Sequence, residues 1–233
     1  MPRAPGRRSR DGAFTLVELL TVIVIVGVLA GLLIPVVQAA RSRARAAECA
    51  GRLRTLAQAV LLTAEERRGA LPRSFHSAAA HREAGWAAEI AGALQVPAAD
   101  SEGWPAAFNR HYRCPSDAAT DPSVYSYGLN VHFELDPDGD DYAGSPATWR
   151  RLERIPTPSR TILLAETRPV AFGDHVMAHL WRSPAAAKNA LAHDRHAGRA
   201  HYAFCDGHVA ALRVDETFLP AEGRNRWNPS LAR

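Results

Sequence analysis

From Leu19 to Ala40 the chain carries no charged side chain. A helix rises 1.5 Å per residue, so such a run spans about 30 Å, the hydrocarbon thickness of a bilayer. The pattern predicts a membrane helix, flanked by Arg3, Arg7, Arg8 and Arg10 before it and by Arg41, Arg43, Arg45, Arg52 and Arg54 after it. Beyond these arginines the apolar positions turn periodic. Leu53, Leu56, Ala57, Val60, Leu61 and Ala64 recur every three or four residues and form one helical stripe. Pro35 lacks an N–H and predicts a bend or loosening; Gly69 and Pro72 predict the stop. The expectation is one long helix over residues 14–69, with about 14–40 in the membrane and the second half as the spine of a globular head.

Residues 70–233 alternate short apolar runs with Pro, Gly and Asp. His81–Leu94, carrying Trp86 and Ile90, reads as a modest helix. Val124–Leu129, Arg160–Ala165, Ala200–Cys205 and His208–Val214 read as strands. Asp206-Gly207 predicts a two-residue type I′ hairpin turn, with Phe204 opposite Val209 and Tyr202, Phe204, Val209 and Ala211 on one face. The expected fold is α+β: an antiparallel sheet packed on the long helix.

At 233 residues and 47% hydrophobic, the chain has room for one sizeable head and not two. The net charge of +4 and pI of 9.3 invite a nucleic-acid reading. However, residues 1–13 hold four arginines against Asp11, so most of the excess sits in the leader. No basic surface with interleaved aromatics is present, and no nucleic-acid partner is expected. The arginines after the apolar run suit lipid headgroups. Three cysteines, Cys49, Cys114 and Cys205, allow three single pairings in an exported head.

Small residues, Gly12-Ala13, precede the apolar run instead of following it, so a cut after Ala13 keeps the hydrophobic segment. An ionisable Glu18 just inside such a segment is costly and points to a purpose. The run Gly12-Ala13-Phe14-Thr15-Leu16-Val17-Glu18-Leu19-Leu20 resembles the processing site of type IV prepilins and type II secretion pseudopilins. The acid falls at the fifth mature position and Pro35 at the twenty-second, as in that family; Ala13 stands where glycine is commonest. The resemblance implies a leader over 1–13, cleavage by a prepilin peptidase on the cytoplasmic side, and an N-methylated Phe14. It also implies assembly with other pilin-like subunits on an inner-membrane platform, and a single-pass inner-membrane location with the head outside the cytoplasm. Gly27 and Gly31 form a small-xxx-small pair that lets helices approach closely.

His196, nine residues, then Asp206-Gly207 resembles the H-x9-DG domain found behind prepilin-type leaders. Arg195-His196-Ala197-Gly198, Phe204-Cys205-Asp206-Gly207-His208-Val209, Cys114-Pro115-Ser116-Asp117, Ser126-Tyr127-Gly128-Leu129-Asn130 and Thr161-Ile162-Leu163-Leu164-Ala165-Glu166 fit its wording. So does the stretch from Cys49 to Ala59. This resemblance implies that Cys49 pairs with Cys114 and leaves Cys205 free.

Two groups invite a metal. His196, Asp206 and His208, with Cys205, offer zinc-type donors if the preceding loop folds over the hairpin. No tight ligand spacing such as C-x2-C supports them. Asp136, Asp138, Asp140 and Asp141 offer dense oxygen donors for calcium, which some major pseudopilins bind in the head, but they lack the spacing of a twelve-residue calcium loop and read equally as a solvated turn. No cofactor is therefore expected. No nucleophile elbow, P-loop or dinucleotide fingerprint is present. The reading is a structural filament subunit, not an enzyme. A membrane-tethered metal-dependent enzyme or a surface-binding module, using the His/Asp-rich C-terminal region, is the competing reading.

Overall fold

Thr15 opens the first helix with its side chain. Its Oγ1 accepts from the Glu18 backbone N–H at 3.2 Å, and Glu18 Oε2 accepts in return from the Thr15 N–H at 2.9 Å. This reciprocal capping box satisfies donors a helix start leaves orphaned. The helix, α1 (Leu16–Glu66), then runs through Pro35 without interruption. The computed structural model describes residues 15–97, 101–119, 121, 123–135, 149–169 and 173–233. The chain divides into two units, Met1–Arg43 and Ala44–Arg233, and α1 contributes to both.

In the first unit the large apolar residues from Leu16 to Val37 are exposed on every side of α1. A side chain of that size gains about 1.5–3 kcal/mol on leaving water. An all-round apolar surface has no solvent face and suits lipid or packed neighbours. By length and composition the helix can cross a membrane.

In the second unit, α1 buries Cys49, Leu53, Leu56, Ala57, Val60 and Ala64, the stripe expected from periodicity extended by one turn at its start. The end of α1 is a left-handed cap. Arg68 has φ +58, its N–H reaches Glu65 O at 3.1 Å, and the Gly69 N–H reaches Ala64 O at 2.7 Å. There follow α2 (Phe75–His81), α3 (Trp86–Glu89), α4 (Trp104–His111), β1 (Tyr127–Asn130), β2 (Ile162–Glu166) and β3 (His175–Val176). The chain continues with α5 (Pro184–Ala190), β4 (Ala200–Phe204), β5 (Val209–Leu212), α6 (Val214–Thr217), β6 (Phe218–Leu219) and β7 (Arg224–Asn225). The expected helix over His81–Leu94 is broken in two: Arg82 takes the left-handed conformation at φ +56 and ends α2, and α3 restarts after Gly85. Trp86 and Ile90 are fully buried, as apolar spacing suggested.

The main sheet has the order β3-β1-β2-β4-β5. All neighbours are antiparallel except β1 and β3, so the expected antiparallel sheet is mixed. One face packs on α1. The other packs on a second cluster that includes Trp181, Leu191, Val214, Phe218 and Trp227. Burial on both faces explains why β2 reads as a continuous apolar run instead of alternating. A bulge between Ile162 and Leu164 sets Leu163 as an extra residue, so Leu163 and Leu164 both join the α1-side core. Two residues on from Leu164, Glu166 returns to that same side.

The β4–β5 hairpin corrects the predicted register. Ala203 pairs with Val209, and the Phe204 N–H bonds His208 O at 2.9 Å, so the loop is Cys205-Asp206-Gly207. Gly207 has φ +87, which fits a three-residue turn with a left-handed glycine. The slip of one residue exchanges the faces. Phe204 stacks on His208 with ring centroids 4.2 Å apart, while Val209 faces the α1-side core.

Candidate functional site

The α1 face of the sheet carries polar groups in a buried place. Tyr127 and Glu166 are cross-strand partners on β1 and β2, and His201 lies on β4. Cys49 arrives from α1. Cys114 follows α4 in a turn closed by the Asp117 N–H on Cys114 O at 2.9 Å, with Pro115 pre-set for its corner. His196 comes from the loop before β4. Ala197 and Gly198 have φ +54 and +81, and His196 and Arg199 exchange backbone hydrogen bonds at 3.2 Å. Two successive positive φ values closed by these bonds make a type I′ turn, and it holds the histidine in place.

These groups converge. Glu166 Oε1 lies 2.7 Å from Cys49 Sγ and 2.9 Å from His196 Nε2. Glu166 Oε2 accepts from the His201 backbone N–H at 2.6 Å and lies 3.1 Å from His201 Nδ1. Cys114 Sγ lies 3.4 Å from His196 Nε2, and the Tyr127 hydroxyl 3.1 Å from Cys49 Sγ. The Cys49, Cys114, Glu166 and His196 ligand atoms all lie within 4.8 Å of one another. Arg195 steadies the rim: its Nη2 donates to Asp117 Oδ2 at 2.8 Å and to Thr167 O at 3.1 Å. Arg52 of α1 donates to the carbonyls of Asn109 and Arg113, fixing the approach to Cys114.

Burial works against the Glu166 charge, but hydrogen bonds from His196 and His201 hold this carboxyl well below the usual range. Burial also opposes a charged His196, yet Cys114 and Glu166 raise it to about 9. A hydrogen bond with Cys49 leads the effects that bring the Cys114 thiol down to about 6, whereas burial pushes Cys49 up. The cluster thus favours a carboxylate, an imidazolium and one thiolate at most. Both sulfurs are inaccessible to solvent, so a solvent-borne substrate does not reach them in this conformation.

Of the residues singled out in the sequence, Gly12, Ala13, Phe14, Asp136, Asp138, Asp140 and Asp141 lie outside the described residues. Glu18 caps α1. Gly27 and Gly31 have open space where a Cβ would stand, and Pro35 sits within α1. The set His196, Asp206 and His208 is not brought together. Asp206 and His208 pair with each other at 2.6 Å on the exposed hairpin loop, because the three-residue turn points them outward, while Glu166 holds His196 inside. Cys205 is buried in the α1-side core. Cys49 and Cys114 are adjacent free thiols.

Sequence reasoning missed Glu166, Tyr127 and His201 as partners of the two cysteines and His196. A signal was available: the segments that carried the H-x9-DG resemblance supply the cluster. Cys49, Cys114, Tyr127, Glu166, Arg195 and His196 each lie in one of them.

Residues 8–34 match the family model of the prokaryotic N-terminal methylation motif. The chain carries a prepilin-type N-terminus. The match covers the stretch around Ala13-Phe14 and the apolar start of α1, and it supports a type IV pilin-like class whose members are prepilin-processed subunits. The motif and the apolar helix fit a single-pass inner-membrane protein. Comparison with curated proteins and with solved structures gives no match.

Proposed function

We propose that this protein is a pseudopilin-like structural subunit of a filament of the type II secretion or type IV pilus kind. The observation that carries the reading is the methylation motif at residues 8–34 leading directly into a helix that is apolar on all sides. A prepilin peptidase cuts between Ala13 and Phe14 and methylates the new amine. The helix is stored in inner-membrane lipid with the head on the outer side. An assembly platform then lifts subunits into a filament whose core is packed N-terminal helices. Glu18 neutralises the Phe14 α-amine of a neighbouring subunit. A buried ion pair of this kind sets register more than it adds stability. Gly27 and Gly31, open on the helix surface, permit close helix contact.

Intact-mass measurement of the protein extracted from membranes tests the processing. The expected mass lacks residues 1–13 and carries one added methyl group. A chain that begins at Met1, or one that has lost the whole apolar segment, refutes the reading.

A further inference from the structure

We propose that Cys49, Cys114, Glu166 and His196 hold one zinc ion in a closed, four-ligand structural site. Four donor atoms of the right kind surround one point: two sulfurs, one imidazole nitrogen and one carboxylate oxygen, all within 4.8 Å of each other. Zinc bonds of about 2.0–2.3 Å in a tetrahedron separate the ligand atoms by roughly 3.3–3.8 Å. The Cys114–His196 contact of 3.4 Å is already at that spacing. The Cys49–Glu166 and Glu166–His196 contacts, at 2.7 and 2.9 Å, are hydrogen bonds that open by less than about 1 Å when a metal replaces the shared proton.

The surroundings are arranged for this. His201 occupies Glu166 Oε2 twice, through its backbone N–H and Nδ1, and leaves Oε1 turned to the cysteines and His196, with Arg195 Nη1 3.6 Å away. The Tyr127 hydroxyl lies on Cys49 Sγ and the Ser116 N–H on Cys114 Sγ, at 3.1 and 3.5 Å, contacts that steady metal-bound thiolates. Two thiolates and a carboxylate carry one negative charge more than a dication neutralises, and the Arg195 guanidinium, with Nη1 3.6 Å from Glu166 Oε1, offsets it. Sulfur and imidazole select zinc over calcium or magnesium. With four protein ligands and no exposed sulfur, no coordination position is left for a substrate, so the ion's role is to fasten α1 to the sheet and to the loops after α4 and before β4.

The test uses full-length protein in detergent, reduced, stripped with a chelator and titrated with cobalt(II). The expected result is saturation at one equivalent, with thiolate-to-cobalt charge-transfer bands and a tetrahedral visible spectrum. Cys114→Ser and His196→Ala weaken cobalt binding by at least about ten-fold. Cys205→Ser, whose thiol lies outside the set, binds like the wild type. The wild-type spectrum decides the matter even if a ligand variant fails to fold. Reduced wild-type protein without charge-transfer bands overturns the proposal. So does a native mass short by two hydrogens with Cys49 and Cys114 joined, or loss of binding in Cys205→Ser.

Discussion

Cys49 on α1 meets Glu166 on β2 at 2.7 Å, across 117 residues of chain. The contact joins the helix to the centre of the sheet through a carboxylate that is fully buried. Glu166→Gln puts an amide donor among donors and leaves the neighbouring imidazoles without their counter-charge. Removing one member of a buried charged network costs about 3–5 kcal/mol. Denaturant unfolding followed by the fluorescence of Trp86 and Trp227, both fully buried, measures this loss.

Glu18 caps Thr15, and the proposed filament gives it a second function, the charge offered to a neighbour. Glu18→Gln keeps the capping box, since glutamine serves at that position as well, but removes the charge. Both Glu18→Gln and Glu18→Ala are expected to be processed normally and to be absent from sheared filaments on immunoblots. A Glu18→Gln protein that assembles like the wild type shows that the cap, not the charge, is what matters.

Gly128 has no room for a side chain. A Cβ there stands 2.8 Å from Thr167 Cγ2 and 3.1 Å from the backbone of His175 in the adjoining parallel strand. Gly128→Ala is expected to destabilise by about 1–3 kcal/mol. Adding Thr167→Ser removes the methyl and recovers only part of the loss, because the His175 backbone remains. Thermal unfolding of the single and double variants checks this.

Ala197 holds φ +54 in the turn that presents His196. An L-residue with a Cβ is strained there, and glycine is not. Ala197→Gly is expected to stabilise by about 0.5–1 kcal/mol after its greater unfolded-chain entropy is counted. An unchanged or lowered denaturation midpoint contradicts this.

Burial lifts the Glu89 carboxyl above its ordinary value of 4.5, and Arg67 at 2.7 Å offsets this only in part. The folded protein therefore holds this proton more tightly than the unfolded chain. The stabilisation is fully present below the ordinary value and is lost as pH rises through the raised one. Relative to Glu89→Gln, the wild type is expected to lose stability from about pH 4.5 upward and then level off. Equal pH slopes for the two proteins refute the shift.

What was legible in the sequence follows from range. The stripe from Leu53 to Ala64, the strands at Ala200–Phe204 and Ile162–Glu166 and the stop at Gly69 are local patterns, and they stand where periodicity put them. The hairpin register failed because Asp-Gly serves both two- and three-residue turns, and the sequence does not choose between them. The parallel β3 is two residues long and carries no pattern, whereas α4 and its C-cap repeat Trp104, Phe108 and Tyr112 every four residues, a signal too short, in a helix of eight residues, to stand out. Glu166 looked like the end of an apolar run. Only the bulge at Leu163 and the docking of α1 turn it toward Cys49, and both are tertiary events.

The wide separation of the cluster's members also sets a timetable. Cys49 leaves the ribosome well before Glu166, and Cys114 lies 82 residues ahead of His196. Contacts this distant form late, because chain closure must be complete before they reward it. Until β2 and the turn at Ala197-Gly198 are in place, both thiols remain open to oxidants and to each other. Maturation of the head is thus a race between closure and oxidation, and the redox poise of the compartment in which it folds decides the outcome.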